Sequence, residues 1–479
     1  MFRGTFYMTI AKLVLVLTGF LLYTLLGRWL GPEQFGVFGV INSFIVMLEF
    51  ILLASIARGV SKFIAEDEDK ARTIINAGFK IQSVIGIAIF CIFFFGADLI
   101  ANLLNDSELS VYFRMFSFLI PIAGFAVIYE FALNGVKAFG RQAIIMIIFH
   151  ISRLIATLFF VYIGLSVKGA IMGLILSDII RLLAGRYFCK DFRSKGDFPL
   201  KQLITFSLHI GIYSVAGTLL FNIDLIAVKV LLKENLFAGL YTSALAIARM
   251  PWFIAGAISM ALFPLVSRSI SEGNDELTKR YLNQTMRYVL AICIPFSFLI
   301  NATSQSLLPT LFGQGYADAA TPLNILIFGM SFMTINTILN TVILASERPF
   351  VAVAIGMVLV LIDIILNIFL VPKMGIHGAA WAATVTNIIG CALAGGYVYI
   401  RFNALVNFAS VVRILLASII IYLIAVFYPA EGFMLFANYI FLSIVFFVLL
   451  VILGEITIDD IMNLKGSMFK ILKKEKAVA

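Results

Sequence analysis

Uninterrupted apolar runs of about twenty residues recur from end to end of this chain, and each is long enough to cross a bilayer as a helix. Residues 81–96 and 439–454 are clear examples. A segment of that polarity must satisfy its own backbone N–H and C=O groups, because hydrocarbon offers no partner, and a helix does so within one stretch of chain. The strands of a membrane barrel alternate polar and apolar positions over about ten residues instead. A soluble fold fails on a second count: 62% of the residues are hydrophobic and 13% are charged, against about 25% charged in ordinary soluble domains. Too little charge is present to cover a water-facing surface. The expected fold is an all-α polytopic membrane protein.

Turn residues and charges divide the chain into about fourteen such runs. The first six fall near 9–29, 36–56, 79–98, 112–132, 142–163 and 168–188. The next six fall near 203–226, 239–264, 286–306, 322–344, 350–371 and 376–400, and two more near 411–428 and 434–454. The run at 9–29 is too long for a signal-peptide core and lacks a small-residue cleavage site, so it is expected to remain as the first span. With the N-terminus inside, most of the 35 Lys and Arg residues fall on one side. Arg28, Arg114, Lys168, Lys229, Lys233 and Lys373 fall on the other. That skew predicts cytoplasmic termini and residence in the plasma membrane. It also accounts for the net charge of +9 without a nucleic-acid partner, and the Lys-rich end of the chain is expected to touch anionic lipid.

An internal repeat runs through these spans. Val60-Ser61-Lys62, followed by Glu66 and Asp69, is answered by Val266-Ser267-Arg268, followed by Glu272 and Asp275. Lys168-Gly169-Ala170 with Asp178-Ile179-Ile180 is answered by His377-Gly378-Ala379 with Asn387-Ile388-Ile389. Six spans per repeat return the chain to its starting side, so the repeats are parallel and related by an axis along the membrane normal. The expected organisation is a first lobe over 1–200, a second over 201–402, two further spans within 403–456 and a basic cytoplasmic tail over 457–479. Two lobes around a central cavity are the architecture of a transporter that works by alternating access.

No HExxH, nucleophile elbow or P-loop is present; Arg141 stands where the glycine spacing of 135–140 would need Lys. Without enzyme or ATPase signatures, energy is expected from an ion gradient, the membrane potential or the substrate's own gradient. No resident cofactor is expected beyond coupling to Na⁺ or H⁺. Ionisable groups within spans are costly and mark pathways or partners. Asp178 and Arg181 share one helix face and pair structurally or act in ion coupling. Asp224 is the leading candidate for a cation or proton site, with a salt bridge to Arg249 or Lys229 as the other reading. Asp363 and Asn367, one turn apart, are able to offer oxygen ligands to Na⁺. Arg249 stands two residues before Pro251, which removes a backbone donor and favours a kink; a cation there suits a phosphate or a partner carboxylate. Arg153 carries the same two readings, and Arg58, at the cytoplasmic face, either receives an incoming anionic head group or simply follows the positive-inside rule.

The segment Gly27-Arg28-Trp29-Leu30-Gly31-Pro32-Glu33-Gln34-Phe35-Gly36 forces a turn between the first two spans. It resembles the first outer loop of the polysaccharide-transporter branch of the multidrug/oligosaccharidyl-lipid/polysaccharide exporter superfamily, the relatives of lipid II flippases. Asp224 late in the seventh span, Gly239-Leu-Tyr241, Phe263-Pro264, Ser346-Glu-Arg-Pro349 and Gly375-Ile-His-Gly378-Ala379 fit the same branch. The resemblance implies two six-helix lobes in a V and a flippase for polyprenyl-(di)phosphate-linked sugars with a cationic cavity; Arg28, inside the motif, is expected to meet the phosphate, and Arg58, Arg153 and Arg249 join it by their positions in the spans. It implies a lipid-linked glycan as substrate, membrane lipids and polysaccharide polymerase or glycosyltransferase machinery as partners, and a monomer. A cation-coupled drug exporter of the same superfamily is the alternative.

Overall fold

The computed structural model describes residues 2–49, 54–346, 348–404 and 406–456; the tail expected over 457–479 lies outside the described residues. Helices make up the fold, and no strand occurs among the described residues. In chain order the first ten are α1 Phe2–Leu48, α2 Ala54–Glu66, α3 Ala71–Phe95, α4 Ala97–Leu103, α5 Leu109–Ser117, α6 Leu119–Gly135, α7 Phe139–Phe160, α8 Ser166–Phe188, α9 Leu200–Leu232 and α10 Asn235–Ala248. There follow α11 Met250–Ser271, α12 Asp275–Phe312, α13 Ala320–Ala345, α14 Pro349–Met374, α15 Ile376–Phe402, α16 Phe408–Phe427 and α17 Met434–Ile452. Among the described residues, ten helical stretches are long and apolar enough to cross a membrane. The chain is a multi-pass membrane protein. Two of those stretches, Phe6–Leu48 and Phe139–Phe188, run to 43 and 50 residues, well beyond the roughly 20 that one crossing needs.

Glycine conformation punctuates both long stretches. Gly31 has φ 72° and ψ 169°, a backbone state that side chains with a Cβ rarely adopt. Pro32 then restarts the helix at a position where its missing N–H costs nothing. The turn expected at Gly31-Pro32 is thus a single-residue break inside α1. Gly164, with φ 91°, separates α7 from α8, close to the expected boundary between 163 and 168. Helix α10 ends at Ala248 and α11 begins at Met250, with Pro251 in the first turn of α11. The break expected beside Arg249 is therefore present.

Two compact units are formed. The first comprises Met1–Ile247, Leu311–Pro322 and Val353–Thr386; the second comprises Ala248–Thr310, Leu323–Ala352 and Asn387–Ala479. In the first unit, Ile56, Val60, Ile64, Ile74, Ile128, Leu133 and Ile145 join one buried apolar core drawn from α2, α3, α6 and α7. Helices α7 and α8 pack as a hairpin in backbone contact: a Cβ on Gly169 would strike the Phe160 carbonyl, and one on Gly173 the Thr157 backbone. The Gly169-x-x-x-Gly173 spacing thus marks a close helix contact. Gly27-x-x-x-Gly31 does not, since Gly27 faces the Phe312 ring and Gly31 is the bend in open space.

A charged knot closes one end of the first unit. The Lys229 ammonium, with its side chain fully buried, donates to Asp106 Oδ2 at 2.7 Å, Asn235 Oδ1 at 2.6 Å and the Lys233 carbonyl at 3.1 Å. Asn235 Nδ2 donates to the same Asp106 oxygen at 2.9 Å. Burial alone would raise the Asp106 carboxyl, but the Lys229 and Asn235 hydrogen bonds outweigh it and hold the group below its ordinary value. The knot ties the α4–α5 connection to the turn between α9 and α10.

In the second unit α16 and α17 pack on α12. Leu299, Ile421, Ala425 and Leu442 form an apolar cluster there, and the hydroxyls of Thr303 and Tyr439 lie 2.6 Å apart. Arg287 Nε donates to the buried Glu455 carboxylate at 2.6 Å, with Arg413 3.5 Å from its other oxygen.

Candidate functional site

The strongest candidate lies in the first unit, where α9 meets the hairpin of α14 and α15. That hairpin has its own register device. Gly375, with φ 59°, makes the turn, and a Cβ on Gly378 would collide with the Leu370 carbonyl. Gly378 stands 209 residues after Gly169, which makes the matching contact in the first repeat. From that contact, eight residues along α15 reach Thr386, and seven back along α14 reach Asp363. At about 1.5 Å per residue the two arrive at nearly the same height. Asn367 is one turn from Asp363 on the same face.

The side chains converge accordingly. Asn367 Nδ2 donates to Asp224 Oδ1 on α9 at 3.0 Å, and to the Asp363 carbonyl at 2.9 Å. Thr386 Oγ1 donates to Asp363 Oδ1 at 3.2 Å. The Asp224 and Asp363 carboxyls are themselves within hydrogen-bond reach. All four residues are at most 3% exposed. Asp363 Oδ2 and Asn367 Oδ1 are buried acceptors with no hydrogen-bond partner among the described residues. Orphaned buried acceptors are rare and call for an explanation. Two carboxylates, an amide oxygen and a hydroxyl make a hard-oxygen donor set, which suits a hard cation such as Na⁺ or a proton shared between the acids.

Asp224, Asp363 and Asn367 are thus brought together. Thr386 was not singled out in the sequence. The signal that would have found it is its equal distance from the hairpin turn. Lys229, weighed as a partner for Asp224, gives its ammonium to Asp106.

Asp178 belongs to a second, separate cluster in the same unit. Arg181 donates through Nε and Nη2 to Glu130 Oε2 at 2.9 and 2.5 Å. It lies 3.5 Å from Asp178 and 4.4 Å above the Phe149 ring. The Asp178–Arg181 pair expected from spacing is present, with Glu130 as its stronger partner. Nearby, Arg153 Nη2 donates to Asn42 Oδ1 at 3.3 Å, and Asn42 donates to the Tyr23 hydroxyl at 2.7 Å. Arg153 Nε is buried and has no hydrogen-bond partner among the described residues. Asn42 and Tyr23, both on α1, drew no attention in the sequence because neutral polar residues in spans carry no cost signal comparable to a charge. Arg28 is exposed three residues before the Gly31 bend, and Arg58 is half-buried on α2. Arg249 is half-buried at the α10–α11 break and belongs to the second unit.

A multi-pass helical bundle that sequesters two polar clusters from lipid is built as a membrane transport protein. The chain belongs to the family described as polysaccharide biosynthesis protein, whose model matches residues 25–321; the Gly27–Gly36 motif falls inside that stretch. Among curated relatives, the "Probable low-salt glycan biosynthesis flippase Agl15" of Haloferax volcanii is 23% identical over 384 residues, covering 79% of each chain. Among solved structures, the lipid II flippase MurJ in an inward closed conformation superposes with a TM-score of 0.75 at 14% identity, covering 94% of this chain and 98% of that one. An inward-facing multidrug resistance MATE family transporter of the MOP superfamily gives 0.68 at 16% identity, covering 82% and 98%. These structures establish the fold, that of the superfamily the loop motif resembles.

Proposed function

We propose that this protein is a flippase. It carries polyprenyl-(di)phosphate-linked oligosaccharide or polysaccharide repeat units from the inner to the outer leaflet by alternating access. The family match over residues 25–321 carries this reading, and the named glycan flippase among the relatives supports it. The protein moves its substrate without covalent chemistry. The breaks at Gly31 and Gly164 split two long helical stretches into two crossings each, and α9 and the α10–α11 pair add one apiece, for fourteen crossings in all, with both ends of the chain on the cytoplasmic side of the plasma membrane and the monomer as the working unit.

Coupling is assigned to the cluster on α9, α14 and α15. A bound Na⁺ or a proton supplies positive charge between two carboxyls that otherwise repel. Asp224 then clamps α9 to the hairpin through Asp363, Asn367 and Thr386; without the charge, that clamp loosens. Occupancy therefore biases how α9 sits on α14–α15, which is a lever for alternation. Arg153, with its unengaged Nε, and Arg28, Arg58 and Arg249 are assigned to the substrate phosphates.

Reconstitution into liposomes with a labelled polyprenyl-diphosphate oligosaccharide tests the proposal. Translocation should follow an imposed Na⁺ or H⁺ gradient and stop in Asp363→Asn. If no such lipid moves, while cationic dyes are exported and Asp224→Asn abolishes that export, the drug-exporter alternative replaces it.

A further inference from the structure

Away from both clusters, α2 and α9 border a shallow, open surface recess of about 530 Å³ lined by Lys62, Phe63, Lys201, Thr205, Phe206 and His209. Two stripes run side by side along this part of α9. Lys201, Thr205 and His209 recur every fourth residue and are exposed. Beside them Leu200, Ile204 and Leu208 do the same, at 38%, 41% and 61% exposure. A third face, with Leu203 and Ser207, is buried against Gly59 of α2, so the two outer stripes are not needed for packing.

The polar stripe is prepared for an anion. The Lys62 ammonium sits 4.3 Å from the centre of the Phe206 ring and 4.9 Å from that of Phe63, so the charge is held over an aromatic floor. Its nearest carboxylate, Glu66, is 3.7 Å away and more than half exposed. His209 Nδ1 donates to the Thr205 carbonyl at 2.7 Å, which fixes the ring. Lys201 lies in the first turn of α9, whose free amides and dipole add positive potential.

A cationic recess flanked by an exposed apolar stripe is complementary to an amphiphile with a negative head. We propose that the α2–α9 recess is a lipid-binding site that takes a phosphate ester head group between Lys62 and Lys201, with the acyl or prenyl chain along Leu200, Ile204 and Leu208. The basic residues of this end of the helices place it at the inner-leaflet head-group layer. The proposal does not depend on the flippase reading, because a bulk phospholipid and a polyprenyl phosphate share this chemistry.

Native mass spectrometry of the full chain in mild detergent tests it. Phosphatidylglycerol, phosphatidylcholine and undecaprenyl phosphate are added separately at equal concentration. The anionic lipids should form adducts that phosphatidylcholine does not. With about fivefold per lysine near a membrane surface, Lys62→Gln/Lys201→Gln should weaken them about 25-fold, and Lys62→Arg/Lys201→Arg should retain them. The control Lys279→Gln/Arg280→Gln should leave them unchanged. Loss of only the phosphatidylglycerol adduct identifies a bulk phospholipid as occupant; loss of only the undecaprenyl phosphate adduct identifies the carrier lipid. Independently of any variant, acetylation of the wild-type chain in nanodiscs should spare Lys62 and Lys201 in phosphatidylglycerol but not in phosphatidylcholine. Equal adducts in the wild type and the Gln pair, equal loss in the control pair, or equal acetylation in both lipids overturns the site.

Discussion

Asp106→Ala is the sharpest test of the knot around Lys229. The substitution strips the carboxylate from an ammonium whose side chain has no exposure to solvent. Removing one partner of a buried ion pair costs about 3–5 kcal/mol, because the other charge stays buried. Lys229 keeps Asn235 Oδ1 at 2.6 Å and the Lys233 carbonyl at 3.1 Å, which places the loss at the lower end, about 3 kcal/mol. Asp106→Ala/Lys229→Met removes both charges and leaves an unbranched apolar chain in the slot. Replacing both partners is far less damaging than removing one, so the double variant should recover at least about 1 kcal/mol. Thermal unfolding in mild detergent, followed by a thiol dye reporting on the buried Cys189 and Cys293, reads the order: wild type above the double variant, and the double variant above Asp106→Ala. A double variant no more stable than Asp106→Ala would refute the argument. The pH dependence has a fixed sign. The folded-state Asp106 carboxyl lies below the ordinary carboxylate value, so its contribution is complete above the unfolded value, about pH 4, and is lost as pH falls through the lower folded value.

Other predictions follow from the same geometry. Na⁺ at a hundred times its dissociation constant should stabilise the wild type by about 2.7 kcal/mol; in thermal unfolding that increment should vanish in Asp363→Asn, and an unchanged increment would remove Asp363 from the cation site. Gly378→Val drives a side chain into the Leu370 carbonyl, which should cost about 1–3 kcal/mol and, by shifting Thr386, also blunt the Na⁺ response. Arg181→Leu leaves Glu130 and Asp178 buried without their guanidinium and should lower stability by about 3–5 kcal/mol; adding Glu130→Gln should restore part of that loss in the same unfolding assay. In a strain dependent on this protein, Arg249→Ala should impair growth more than Lys474→Ala at equal expression, and equal growth would take Arg249 out of the phosphate path.

The parts of this protein legible in its sequence are those governed by local chain properties. Apolar run length identified the helices and placed a boundary near Gly164, while the breaks at Gly31-Pro32 and Arg249-Met250-Pro251 followed from glycine and proline chemistry. Asp363 and Asn367 were visible as a pair because helical spacing puts residues four apart on one face. Their meeting with Asp224 and Thr386 was not, since 143 residues separate Asn367 from Asp224 and no periodicity spans such a distance. Glu130 and Arg181, 51 residues apart, illustrate the same limit: spacing showed the Asp178–Arg181 pair, while the stronger partner came from another helix.

What the sequence alone determined, then, was the solvent. With 62% hydrophobic residues in runs of membrane-spanning length, only helices that satisfy their own backbones are available, and the Gly27–Gly36 motif narrowed these to one superfamily. The tertiary structure decided which scattered polar groups share a site. That choice rests on backbone contacts such as Gly378 against Leu370, which fix the height of one helix against its neighbour. A helix carries its side-chain pattern in its own sequence, but its register against another helix is a property of the pair.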